Sequence, residues 1–148
     1  MATLIKNRAL QYPLEALFEF DIANGDVMVS VAGGAAQTFK ATAGVFDAIA
    51  LPVNSQVIGG DITVDVASND TGTATISVGD SGSATRYLGA TTIKTAARTA
   101  LVPTGFMNSS GLDGRITLAN ANGDATTGKV RVRVSYIIKN RQNETQIT

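Results

Sequence analysis

Apolar and polar residues alternate with a period of two over most of this chain. The clearest run is residues 129–139, KVRVRVSYIIK. Val130, Val132, Val134, Tyr136 and Ile138 fall on one face, and Lys129, Arg131, Arg133 and Ser135 on the other. Successive side chains of a strand point to opposite faces, so the pattern predicts a half-buried antiparallel strand with a basic outer face. Residues 56–67 repeat it with the opposite charge: Ile62, Val64 and Val66 alternate with Asp61, Thr63 and Asp65. Gly59 and Gly60 interrupt that run and predict a bulge or bend. Further strands are expected over 16–22, 26–31, 36–41, 45–51, 73–78, 85–88, 99–102 and 115–120.

Turn residues separate these runs. Asn24-Gly25-Asp26 is a strong hairpin signal between two β-rich segments. Gly33-Gly34 and the segments 69–72, 79–82, 109–114 and 120–128 are similarly rich in turn formers. Many short strands with Gly-rich turns predict an all-β, single-domain antiparallel β-sandwich. The β-branched threonines in 91–97 disfavour more than one helical turn there. A chain of 148 residues fits one domain that buries its own core. Neither end is periodic. The expected organisation is an N-terminal arm over 1–14, a β-sandwich domain over 15–138 and a C-terminal tail over 139–148. Such ends either fray or become ordered on a neighbouring subunit.

Charge is zero overall but segregated. Residues 1–14 carry +2, residues 15–83 carry −8 and residues 84–148 carry +6. One reading is internal: acidic strands lie beside basic ones in one sheet. The other is complementarity to a second copy or a partner surface. The candidate interface is therefore the two arms and the charged strand faces: Lys6, Arg8, Asp61, Asp65, Arg131, Arg133, Lys139 and Arg141. A nucleic-acid surface would interleave aromatic residues with the basic stripe. Only Tyr136 is near, and parity puts it on the apolar face. Nucleic acid is not an expected partner. No apolar stretch approaches about 18 residues, so no membrane span is expected, and the N-terminus carries no secretory signal pattern.

Several strings imitate catalytic motifs. Residues 79–82 read Gly-Asp-Ser-Gly, the surroundings of a trypsin-like nucleophile, yet the chain has no histidine and no cysteine. Ser81 therefore lacks the imidazole base of a Ser-His-Asp triad. A turn is the better reading, with Gly79 or Gly82 intolerant of a side chain if either adopts positive φ. Residues 123–129, GDATTGK, resemble a phosphate-binding loop, but Val130 replaces the Ser or Thr that holds magnesium, and a strand follows rather than a helix. Asp61 and Asp65 share a strand face about 13 Å apart, beyond the roughly 5–9.5 Å of a glycosidase pair. Asn120, Asn122 and Asp124 resemble part of a calcium loop without its downstream acid. No catalytic residue, metal site or cofactor is expected. Phe18, Phe20, Phe39, Phe46 and Phe106 are expected in the core or at a subunit interface.

The segments VGDSGSATRYLGA, RTALVPTG and TGKVRVRVSYI together resemble the small decoration, or cement, proteins of tailed-bacteriophage capsids. The resemblance covers roughly residues 54–141. It implies a jelly-roll sandwich that assembles as dimers or trimers on the capsid exterior, binds the major capsid protein and bridges neighbouring capsomers. The protein would be made in the host cytoplasm and reside in the virion. It carries over no catalytic residues. An alternative is a non-catalytic carbohydrate- or receptor-binding module of a virion, although the chain has no Trp and three Tyr to supply an aromatic platform.

Overall fold

The computed structural model describes residues 12–139 except 30, 32–33 and 113. Those residues form β1 (Leu14–Asp21), β2 (Val27–Val29), β3 (Ala36–Thr38), β4 (Gly44–Ile49), β5 (Ser55–Val66) and β6 (Ala74–Asp80). They continue with β7 (Ser83–Thr92), β8 (Arg98–Ala100), β9 (Met107–Asn108), β10 (Gly114–Asn120) and β11 (Lys129–Ile138). Each strand expected from the alternation is present. β7 runs longer than the pattern predicted, because Thr91 and Thr92 continue its ladder against Ile76 and Thr75. The two-residue β9 is too short to leave a periodic signal. It forms where Met107 and Asn108 pair with Gln56 and Ser55.

Two antiparallel sheets make the sandwich. One has the order β1-β11-β5-β8, with β9 also on β5, and the other the order β4-β10-β6-β7. Set aside β9 and the small β2-β3 ribbon, and eight strands remain. The first pairs with the eighth, the second with the seventh, the third with the sixth and the fourth with the fifth. That is one long antiparallel hairpin rolled into two sheets, the jelly-roll arrangement.

The inner faces meet in one core. Val130, Val132 and Val134 of β11 and Val57, Ile62 and Val64 of β5 face Ile76 and Val78 of β6 and Ile116 and Leu118 of β10. Phe20 and Phe39 stack with ring centroids 4.4 Å apart, Phe46 lies 4.7 Å from Phe39, and Phe18 5.9 Å from it. Each fully buried side chain of this kind contributes about 1.5–3 kcal/mol. Phe106 is the exception among the phenylalanines: its ring lies under the Arg86 guanidinium, 3.5 Å from the centroid.

Of two local expectations, one held and one changed in detail. The bulge lies where expected: the register slips between Ser135 and Tyr136, opposite Gly59 and Val57. Gly60 has φ of 140°, and a Cβ there would strike the carbonyl oxygen of Arg133. The Asn24-Gly25 turn also forms, with Gly25 at φ 69°. It does not make a β1–β2 hairpin. Asp26 takes the Asp21 amide on its carboxylate at 2.8 Å and donates its own amide to the Asp21 carbonyl at 3.3 Å, which closes the turn without a ladder beyond it. β2 instead pairs with β3, and β1 with β11.

Candidate interaction face

β11 is central to the outer face of the larger sheet, with β1 on one side and β5 then β8 on the other. Parity buries its valines and turns Lys129, Arg131 and Arg133 outward. The flanking strands bring carboxylates to the same face. Lys129 Nζ lies 3.1 Å from Glu19 Oε1, and Arg131 Nη2 donates to Asp65 Oδ1 at 2.9 Å. Arg133 Nη2 donates to Asp61 Oδ2 at 2.6 Å, and Arg98 Nη2, from β8, donates to the same oxygen at 2.7 Å. The Thr63 hydroxyl reaches Asp61 Oδ1 at 3.4 Å. Part of the segregated charge of the sequence is thus paired within this sheet, an acidic strand on each side of a basic one, and Arg86–Asp80 and Arg115–Asp47 pair within the other sheet.

Asp61 is the buried member of this group. Burial alone would raise its carboxyl, but hydrogen bonds from Arg98 and Arg133, with their charges, hold it below its ordinary value of 3.8. The Asp61 hydrogen bond raises Arg133, and the Glu19 hydrogen bond raises Lys129.

Of the candidates read from sequence, Asp61, Asp65, Arg131 and Arg133 come together here. Lys139 does not: it is exposed one position past β11, six residues and so about 20 Å beyond Arg133. Its amide donates to the Asn54 carbonyl at 2.8 Å. Lys6, Arg8 and Arg141 lie outside the described residues. Arg98, Glu19 and Leu17 belong to the face and were missed. Outward parity in 16–22 marks Leu17 and Glu19, but nothing local says that β8 lies beside β5.

The Gly-Asp-Ser-Gly string is the β6–β7 connection, and its working residue is Asp80, not Ser81. Asp80 is buried. Its Oδ1 accepts the amides of Gly82 and Ser83 at 2.9 and 2.8 Å. Its Oδ2 accepts Arg86 Nε at 2.5 Å and the Tyr87 hydroxyl at 3.5 Å. Burial first, and then the Asp80 charge, push the Tyr87 hydroxyl up to about 12. Neither Gly79 nor Gly82 has positive φ. Gly79 is constrained by close approach instead: a Cβ there would run into the Ser83 carbonyl and the Ala84 backbone.

The loop over 123–128 leads into β11, not into a helix. Its polar groups lock it to the loop over 67–72. Asp124 accepts the Thr71 hydroxyl at 2.6 Å and its amide at 2.9 Å, and these hold its carboxyl low. Asn69 accepts the amides of Thr126 and Thr127 at 2.8 and 3.0 Å. Asn122 donates to Thr71, whereas the buried Asn120 donates to the carbonyls of Phe39 and Ala41. Of the calcium-like residues, Asn122 and Asp124 thus share Thr71 as a partner, while Asn120 points away from them. Among the described residues, no group of three or more His, Cys, Asp or Glu is placed to hold a metal.

No protein-family model matches the sequence, and no curated protein matches it. Solved structures do. The chain is similar to a chain of the cyanophage Pam1 capsid asymmetric unit, at 26% identity and a TM-score of 0.60, over 93% of this chain and 94% of that one. Its fold is also that of a chain in the acid-stable capsid of Helicobacter pylori bacteriophage KHP30, at 19% identity and a TM-score of 0.53, over 83% of this chain and 86% of that one. The KHP30 likeness shows the fold alone, while the Pam1 likeness supports a phage capsid-related protein with a structural role.

Proposed function

We propose that this chain is a capsid decoration protein that binds the outside of a phage shell as a homo-oligomer and bridges neighbouring capsomers. The observation that carries the reading is the whole-chain likeness to a Pam1 capsid chain at 26% identity. Coverage above nine-tenths on both sides makes it a likeness between entire chains, not between a domain and part of a larger subunit. The segments that resemble decoration proteins supply the finer assignment.

The side chains that imitate chemistry support a mechanical role. Asp61, Asp80 and Asp124 are each engaged by donors of the same fold. Among the described residues Tyr12 is the one exposed aromatic, which gives a sugar no stacking platform. Decoration requires specific contact area, about 1,200–2,000 Å² for a stable interface. An oligomer that grips several shell subunits at once multiplies modest contacts through effective concentration. Cross-linking then raises the cost of pulling capsomers apart when packed genome pushes outward.

The test is thermal survival of shells. Shells stripped of this protein should release their genome at a lower temperature than intact ones, and adding the protein back should restore the difference. Equal survival of stripped and restored shells would refute bridging.

A further inference from the structure

We infer that the groove lined by Leu17, Asp61, Thr63, Arg98, Arg131 and Arg133 receives an acidic segment of a shell subunit, with a carboxylate set among the arginines and an apolar neighbour on Leu17. The inference rests on the capsid-binding reading for the identity of the partner, but not for the chemistry of the groove.

The groove lies on the outer face of the larger sheet and is open to solvent. Three guanidiniums line it against one carboxylate, Asp61. Asp65 partners Arg131 and Glu15 acts on Arg133 from β1, so bases and acids around the groove balance, and what it offers an anion is unused guanidinium donors rather than net charge. Asp61 accepts both Arg98 and Arg133 on a single oxygen. Each of the three guanidiniums uses one Nη2 in these bonds. A guanidinium carries five N–H donors in a planar fork, so most of their donor capacity remains for an incoming anion. The side chains of Arg98, Arg131 and Arg133 are 65%, 43% and 45% exposed, so the forks are accessible. Asp61 holds two of them, Arg98 and Arg133, close together, which is pre-organisation for a bidentate carboxylate.

Leu17 selects the type of anion. It stands directly across the ladder from Arg133 and is 62% exposed. An exposed leucine beside arginines suits a peptide that alternates acidic and apolar side chains, and arginines of this kind are favoured interface anchors. A polyanion such as nucleic acid would want a broad positive field. Arg131 in the groove and Lys129 beside it are instead paired with Asp65 and Glu19, so there is no such broad field.

The decisive variant is Leu17→Glu. It places a carboxylate opposite Arg133, at an exposed position, so the chain would occupy its own groove. The probe is a fluorescein-labelled heptapeptide of alternating Glu and Leu, with a Gln-for-Glu counterpart and a single-stranded oligonucleotide as comparisons. The Glu peptide should bind at least tenfold more tightly than the Gln peptide and perturb the amides of Leu17, Thr63 and Arg98. Leu17→Glu should weaken it fivefold or more without lowering the melting temperature, and Arg98→Ala should weaken it by a similar factor. Equal affinity for the Glu and Gln peptides, unchanged binding by Leu17→Glu, or preference for the oligonucleotide would overturn the inference. Shells separate this inference from the reading it rests on. If wild type binds shells and Leu17→Glu binds them equally well, the groove is not the contact, while the capsid reading stands. If wild type binds the peptide but not shells, the capsid reading falls, and the shell subunit with it as the partner.

Discussion

Arg133 donates to Asp61, its direct partner across the β5–β11 ladder, at 2.6 Å. Arg98 approaches the same oxygen from β8, so one buried carboxylate ties three strands of the sheet together. Asp61→Asn should therefore cost about 1–2 kcal/mol: hydrogen bonds to a charged group contribute about 1.5–3 kcal/mol, discounted because both arginines are partly in water. Urea denaturation of the two proteins at neutral pH measures it. Asp65→Asn, at an exposed pair, should cost less than about 1 kcal/mol.

The same contact sets a pH dependence. The Asp61 carboxyl is held below its ordinary 3.8 in the folded chain. Its stabilisation is fully present above that value and is lost as pH falls through the lower folded value. The gap between wild type and Asp61→Asn should stay constant from neutral pH down to about 5 and close below about 4. Chemical denaturation across that range would show it, and a gap that persists at the acid end would contradict the assignment.

At the β6–β7 connection, Ser81→Ala should change stability by less than about 0.5 kcal/mol. Asp80→Ala should cost about 2–4 kcal/mol, because it leaves two turn amides and Arg86 without their acceptor. Gly79→Ala should be comparably harmful through its collision with the Ser83 carbonyl. Thermal melts of the three variants rank them, and a Ser81 effect as large as that of Asp80 would reverse the account of this turn.

Tyr87 should ionise late in an alkaline spectrophotometric titration, at about 12. A tyrosine raised in the folded state stabilises the fold fully below its unfolded value of about 10 and loses that contribution as pH rises through the folded value. Tyr87→Phe should therefore flatten the loss of stability between those limits. An unchanged slope would place the raised group elsewhere.

The alternation of Lys129, Arg131 and Arg133 with valines was enough to read β11, its inner face and its basic outer face. Gly59 and Gly60 were enough to read the bulge. These are properties of neighbours in sequence. What stayed hidden depends on partners far along the chain. Asp61 and Arg98 are 37 positions apart and Asp61 and Arg133 are 72 apart, so the arginine pair around one carboxylate appears only once β5 lies between β11 and β8. The Asn24-Gly25 signal specified a turn but not which strands would pair: β1 pairs with β11 and β2 with β3. Gly79 was singled out correctly and for the wrong cause: the constraint is backbone proximity, not its φ.

A cryo-electron microscopy map of the native particle tests the central claim most directly. The account predicts density for this jelly roll on the outer surface, seated across the junctions between capsomers, with the arginine groove turned toward the shell. An outer surface bare of this fold, with the chain found inside the shell or in the tail, would contradict it.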